Sequence, residues 1–345
     1  MHAIFENEPR VPLIFAPTPL HRAENLSLDL GIDLWLKRDD LSGPGVFGGN
    51  KMRKLEFILG EAREMGADVV FTYGASQSNH AMQTAAACAR SGLKCILYLV
   101  EFVKGEPEAL KGNLVLDTLF GAEIHLVSPG PGETEDDAFE KCFGLAEERI
   151  RELEKEGHRC LNVPIGGANL AGCMGFAAGY LEMREQLERL GLPAFDYIYH
   201  ATGSAGTLAG LLAGRAIAGG GESIRAIRVG VGGDDYETRA ASLANDVLIH
   251  LGQPARVHEQ DFTVCPEYTG PGYEIPYAES TAALKSIARR EGITLDPVYS
   301  GKAFTGLLDH ARTGKIKPGQ SALFWCTGGA AALFAEPEIV GDFTD

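Results

Sequence analysis

The sequence has no strongly basic stretch, no Cys-x-x-C pair and no apolar run long enough to span a bilayer. Each absence removes a class of protein. Lys and Arg total 31 against 47 Asp and Glu, a formal charge of −16. That balance disfavours nucleic acid and anionic membrane surfaces as partners. The seven cysteines (88, 95, 142, 160, 173, 265 and 326) are odd in number, and several sit in apolar runs such as "TAAACA" and "KCILYLV". Reduced core thiols are therefore expected, rather than a disulfide framework or a metal site. The opening "MHAIFENEPRVP" lacks the basic-then-apolar pattern of a signal peptide, so a cytoplasmic location is expected. Repeats and low-complexity tracts are missing as well.

What is present is ordinary in bulk: 345 residues, 45% hydrophobic and 23% charged. That length predicts two domains. Short apolar runs alternate with helical stretches: "DVVFTYG" then "NHAMQTAAACARSG", "KCILYLV" then "PEALKGNLVLDTLFG", "IHLVS" then a long acidic helix. The pattern continues through "DYIYHATG", "IRAIRVGVGG" and "SALFWCTGG". Such β-α alternation predicts parallel sheets covered by helices, an α/β class. The acidic helix "DDAFEKCFGLAEERIRELEKEG" is expected to be solvated surface, and glycine content marks a boundary near Ile165–Ala168.

Residues 48–55, "GGNKMRKL", place Lys51, Arg53 and Lys54 just where an amphipathic helix begins. With Asn50 as the expected N-cap, these cations fall at the positive end of the helix dipole. A lysine there is disfavoured as a cation, so its neutral, nucleophilic amine is more available. Two glycines before Lys51 are expected to leave room for a ligand. Arg53 and Lys54 are expected to be ordinary surface cations.

Three further segments carry chemistry. "HATGSAGTLAGLLAG" runs a strand through Thr202, Gly203, Ser204, Ala205, Gly206 and Thr207 straight into a helix. Glycines, hydroxyls and free N–H groups there make a phosphate cradle, although a Gly/Ser turn serves geometry alone equally well. In "GASQSNHAMQTAAACA", Ser78 or Asn79 caps a helix, which puts Ser78, Asn79 and His80 at a mouth suited to a carboxylate, although S-N-H taken alone reads more simply as a helix cap. Tyr273, Tyr299 and Thr327 stand beside glycines in "YTGPGYEIP", "DPVYSGKAFTG" and "FWCTGGAAALF". A phosphate cradle, a carboxylate mouth and a neutral lysine together point to pyridoxal 5'-phosphate and an amino-acid substrate.

The stretches "KRDDLSGPGVFGGNKMRKLEF", "GASQSNHAMQTAA", "ATGSAGT", "DPVYSGKA" and "TGGAAALFA", in that order, resemble the D-cysteine desulfhydrase and 1-aminocyclopropane-1-carboxylate deaminase family, with the L-cysteate sulfo-lyases as relatives. The resemblance implies fold type II of the pyridoxal-phosphate enzymes: two open, mostly parallel twisted sheets with helices on both faces. It implies a larger domain of residues 1–50 and 166–345, a smaller one of 51–165, and a homodimer. Lys51 matches the Schiff-base lysine and Asn79 the residue bonded to the cofactor's phenolic oxygen. Thr202 to Thr207 match the phosphate loop, and Thr327 the partner of the ring nitrogen. Ser78, Asn79 and His80 match the carboxylate loop, with Ser78 near the reacting carbon. Tyr273 and Tyr299 match the active-site tyrosines.

Three departures bear on substrate. The deaminases have Glu where this chain has Ser300, which turns the expectation toward the desulfhydrases. Met82 replaces an arginine usual in the family, and "EIPYAES" replaces a "G-x-P-N-E/D-G" stretch. The expectation is α,β-elimination from D-cysteine, then L-cysteate, then ring opening of aminocyclopropane carboxylate. A nucleotide-dependent oxidoreductase using the turns at 203–210 or 230–233, or a non-catalytic binder of the same fold, are the readings of another class.

Overall fold

The structure, a computed structural model, describes residues 2–43, 48–101, 110–230, 233, 235–254 and 256–341. The quoted stretch at 44–47 and Val231 and Gly232 of the second glycine turn lie outside them. The strands are β1 (Leu20–Arg22), β2 (Asp33–Arg38), β3 (Val69–Ala75), β4 (Lys94–Val100), β5 (Glu123–Val127), β6 (Cys160–Asn162), β7 (Tyr197–Thr202), β8 (Ser223–Arg228), β9 (Thr263–Cys265) and β10 (Ser321–Cys326). The helices are α1 (Glu24–Leu30), α2 (Asn50–Met65), α3 (Asn79–Ser91), α4 (Gly112–Leu119), α5 (Glu135–Lys155), α6 (Leu170–Leu190), α7 (Gly206–Ala218), α8 (Tyr236–His250), α9 (Ala278–Glu291) and α10 (Ser300–Arg312).

They form two sheets, ordered β1-β2-β10-β7-β8-β9 and β5-β4-β3-β6. Among the described residues every pairing of two strands is parallel except β1 with β2. The α/β class with two mostly parallel sheets is therefore found. Central strands are buried along their length, as β3 is at all seven positions, because helices cover both faces. One apolar cluster joins Val70 and Leu97 of the smaller sheet to Ile198 and Trp325 of the larger through α2, α6 and α7. A second packs α9 and α10 on the far face of the larger sheet, and a third packs α5 on the smaller. All seven cysteines are free thiols and all but Cys160 are buried.

The seam between α2 and α6 is close because Gly175 has no side chain. A Cβ there would lie 2.1 Å from the carbonyl oxygen of Arg53. That contact fixes the helix carrying Lys51.

Candidate active site

A cleft of about 1170 Å³ opens at the C-terminal ends of β3, β6, β7 and β10, between the two sheets. Ligands collect there in open parallel sheets because helix N-termini converge on that edge. Of the residues expected from sequence to bind cofactor or substrate, all but Gly206 and Ser300 line it.

Lys51 faces the cleft from the first turn of α2. Its pKa is driven well down, first by burial and then by the neighbouring Lys54 amine, with Asp296 opposing. Burial, rather than the helix dipole alone, neutralises it. The helix cap also differs from expectation. Gly49 is the N-cap and Asn50 the first helical residue. The Asn50 amide donates to Thr207 Oγ1 at 3.0 Å, and its Oδ1 accepts from Lys51 Nζ at 3.1 Å. Asn50 thus ties the lysine to the glycine-rich loop. The glycines before it leave no room for a ligand. A Cβ on Gly49 would lie 2.4 Å from Gln83 Nε2 and 2.8 Å from the Thr327 carbonyl, and Gly49 bridges Gly328.

Arg53 and Lys54 are not surface cations: both are buried. Arg53 Nε donates to Asp39 Oδ2 at 2.7 Å, and its Nη2 to Glu182 Oε1 at 2.9 Å. Lys54 Nζ donates to the Gly166 carbonyl at 2.9 Å. A Cβ on Gly206 would lie 2.8 Å from that nitrogen, so the amine sits against the N-terminus of α7. Burial lowers it to about 8, which leaves it charged at neutral pH.

The loop from Thr202 to Thr207 is held open by contacts of its own. Ala205 adopts φ +66°, a left-handed conformation costly for a residue with a Cβ. The Tyr236 hydroxyl accepts from Ala205 N at 3.0 Å and bonds Thr202 Oγ1 at 2.7 Å. The hydroxyls, the helix N-terminus and the Lys54 charge converge there, as a phosphate requires.

On the opposite sheet, Ser78 caps α3 by accepting from Ala81 N at 3.2 Å. Asn79 Oδ1 accepts from Asn113 Nδ2 at 2.8 Å, which leaves the Asn79 NH₂ as the donor toward the cleft. His80 bonds Thr72 Oγ1 through Nε2 at 2.8 Å, and its Nδ1 has no partner among the described residues. Burial, then Lys51 and Lys54, hold its pKa well down, so the ring is neutral.

Tyr273 and Tyr299 meet through their hydroxyls, with rings edge-to-face at 5.6 Å. Burial pushes the Tyr299 phenol up, so it stays protonated. Asp296 sets Tyr299 by accepting from its backbone N at 2.8 Å and from Ser300 N at 2.7 Å. Ser300 is buried behind the wall, and its hydroxyl donates to that same carboxylate. Thr327 lines the cleft, and its carbonyl accepts from Asn50 N at 3.0 Å.

The acidic helix α5 is not only solvated surface. Glu135, Asp136, Phe139, Glu140, Phe143 and Glu147 rim the cleft. Sequence reading also missed the roles of Asn50, Lys54, Asn113, Tyr236 and Asp296. Asn50 meets Thr207, Lys54 meets Gly166, Asn113 meets Asn79 and Tyr236 meets Ala205, each at least 31 residues away, whereas Asp296 bonds Tyr299 and Ser300 within its own quoted motif. Away from the cleft, Cys265, Glu267 and His310 bring one ligand atom each within 4.8 Å. Burial pushes the Cys265 thiol up to about 11, and Arg225 and Lys315 act on both Cys265 and His310, a setting that opposes a bound cation.

Residues 11–328 match the family model described as pyridoxal-phosphate dependent enzyme. The chain belongs to that family, and its cofactor is pyridoxal phosphate. Within it, the chain is an enzyme of the 1-aminocyclopropane-1-carboxylate deaminase and D-cysteine desulfhydrase group, a lyase. A putative 1-aminocyclopropane-1-carboxylate deaminase of Thermotoga maritima is 41% identical, covering 95% of this chain and 98% of the relative. A D-cysteine desulfhydrase of Klebsiella pneumoniae is 37% identical, covering 95% and 96%. The crystal structure of an ACC deaminase homologue superposes with a TM-score of 0.86 at 38% identity, covering 99% of each chain. Among the described residues, no helix is long and apolar enough to cross a membrane.

Proposed function

We infer that this enzyme eliminates sulfide from D-cysteine, giving pyruvate and ammonia. The residues present fit the cofactor: the Lys51 amine is kept neutral, and the left-handed Ala205 turn backed by Lys54 makes a phosphate cradle. In this reading Thr202 to Thr207 hold the phosphate, Asn79 the phenolic oxygen and Thr327 the ring nitrogen. The bound cofactor supplies the electron sink that makes an amino acid's Cα–H acidic.

Ser78, Asn79 and His80 receive the substrate carboxylate at the N-terminus of α3. The neutral Lys51 amine takes the Cα proton. The hydroxyl pair of Tyr273 and Tyr299, protonated, hands a proton to the departing sulfur. The C–S bond breaks with its electron pair leaving on sulfur, and water hydrolyses the three-carbon enamine to pyruvate and ammonia.

The observation that carries the choice of substrate is Ser300, locked to Asp296. No carboxylic acid follows Tyr299, so the phenol pair is the acid beside it. The wall also carries Glu135, Asp136, Glu140, Glu147, Asp235 and Glu274 against the Arg239 cation, the Lys51 amine being neutral. Such a field opposes the additional charge of a sulfonate and favours a thiol over L-cysteate. Ring opening of aminocyclopropane carboxylate is the second reading, favoured by the 41% identical relative of that name. We take 51–165 as the smaller domain, since the strands of the smaller sheet all lie between Val69 and Asn162.

The test assays D-cysteine, L-cysteine, L-cysteate and aminocyclopropane carboxylate side by side for keto acid and sulfur product. Pyruvate with sulfide from D-cysteine is expected. A four-carbon keto acid from the cyclopropane substrate, with D-cysteine inert, moves the enzyme to the deaminases.

A further inference from the structure

Lys302 stands three residues after Tyr299 in the first turn of α10 and is fully buried. Its nitrogen donates to the backbone carbonyls of Thr269 at 2.8 Å, Gly272 at 2.6 Å and Tyr273 at 2.9 Å. Three N–H bonds are the whole donor capacity of an ammonium, and all three go to one loop. Residues 269–277 of that loop form neither strand nor helix, so no ladder holds those carbonyls. Burial draws the amine down to about 8 against the pull of Asp296, Glu336 and Glu274, so at neutral pH it is a cation.

The same loop carries Tyr273, whose hydroxyl meets that of Tyr299 at the N-cap of α10. The start of α10 therefore holds Tyr273 twice, by side chain through Tyr299 and by main chain through Lys302. We propose that Lys302 is a positioning residue for the reaction: an internal cation, coordinated by the carbonyls of Thr269, Gly272 and Tyr273, that fixes the Tyr273 hydroxyl against Tyr299. The inference rests on the role given to Tyr273 above. Backbone carbonyls that satisfy a tethered ammonium also satisfy a free cation of similar size. The function should therefore be separable from the covalent tether.

Lys302→Met keeps the bulk without the donors, and Lys302→Ala leaves space for a free ion. Both are compared with wild type as the cofactor-loaded protein, with visible absorbance and melting confirming folding. Lys302→Met should lose about a hundredfold in kcat with KM little changed, the cost of an ångström-scale misplacement. Lys302→Ala should lose as much and regain about tenfold, saturably, with ammonium or methylammonium but not tetramethylammonium. Wild-type kcat in Lys302→Met overturns the proposal. So does a loaded Lys302→Ala that no ammonium concentration improves. Should Lys302→Ala not fold, Lys302→Met decides.

If the wild type turns over none of the four amino acids, the functional reading has failed and chymotryptic cleavage after Tyr273 decides in its place. Resistance in wild type, cutting in Lys302→Met and renewed protection of Lys302→Ala by ammonium support the positioning role. Equal cutting in all three overturns it.

Discussion

Lys51 and Lys54 lie nearly one helical turn apart, and burial pushes both amines toward neutrality. Their surroundings separate them. Lys51 faces the cleft beside Lys54, so its cationic form meets both desolvation and a like charge. Lys54 rests on a carbonyl under the phosphate loop and falls only to about 8. The neutral fraction of Lys51 rises with pH, so cofactor loading of the apoprotein should speed up and then level off well below the ordinary lysine value of 10.5. Visible absorbance during loading at a series of pH values checks this. A rate still climbing at about pH 10 would mean an unperturbed amine. Lys51 was legible in the sequence because its charge stands at the wrong end of a helix. Arg53 and Lys54 were not, since the partners that bury them, Glu182 and Gly166, lie more than a hundred residues away. Ser300 was legible as a departure from the deaminases. That its hydroxyl serves Asp296 and not the cleft depends on packing.

Among the elements, α2 is anchored by a buried charge network rather than by its cap. Arg53 joins Asp39 and Glu182, Trp325 Nε1 donates to Asp39 Oδ2 at 2.7 Å, and Lys37 joins Glu182 at 2.5 Å. Removing the guanidinium leaves the buried Asp39 carboxylate without its salt-bridge partner, so Arg53→Met should cost about 3–5 kcal/mol, read by denaturant unfolding. Burial alone would raise Glu182, but Arg53 and then Lys37 pull it down to about 2. Because that folded value lies below the ordinary 4.5, its stabilisation is present above 4.5 and is lost as pH falls toward 2. Arg53→Met should therefore also flatten the acid limb of the stability curve. A variant as stable as wild type would show the network to be dispensable. In the phosphate loop, Tyr236→Phe removes the hydroxyl that holds Thr202 and Ala205. It should weaken cofactor binding about tenfold, one hydrogen bond's worth, by titration of apoprotein; unchanged affinity would mean the loop holds its shape unaided.

For the whole molecule, the α/β class was legible because parallel strands buried on both faces read as apolar runs between helices. The three-residue β1 and β9 went unread because they are too short to show a period. So did β2, which lies in what reads as an opening loop. The meeting of the two sheets' C-terminal edges at one cleft is a product of topology, which no local pattern carries. That cleft brings Lys51 from α2, Ser78, Asn79 and His80 from the start of α3, the loop of residues 202–207 between β7 and α7, and the Tyr273 and Tyr299 pair from the α10 side to one place. The most direct measurement is borohydride reduction of the yellow cofactor-loaded protein, followed by peptide mass spectrometry. Pyridoxyl mass on Lys51, with Lys54 unmodified, is the predicted result. Label on Lys54, or a colour that borohydride does not bleach, would contradict the account.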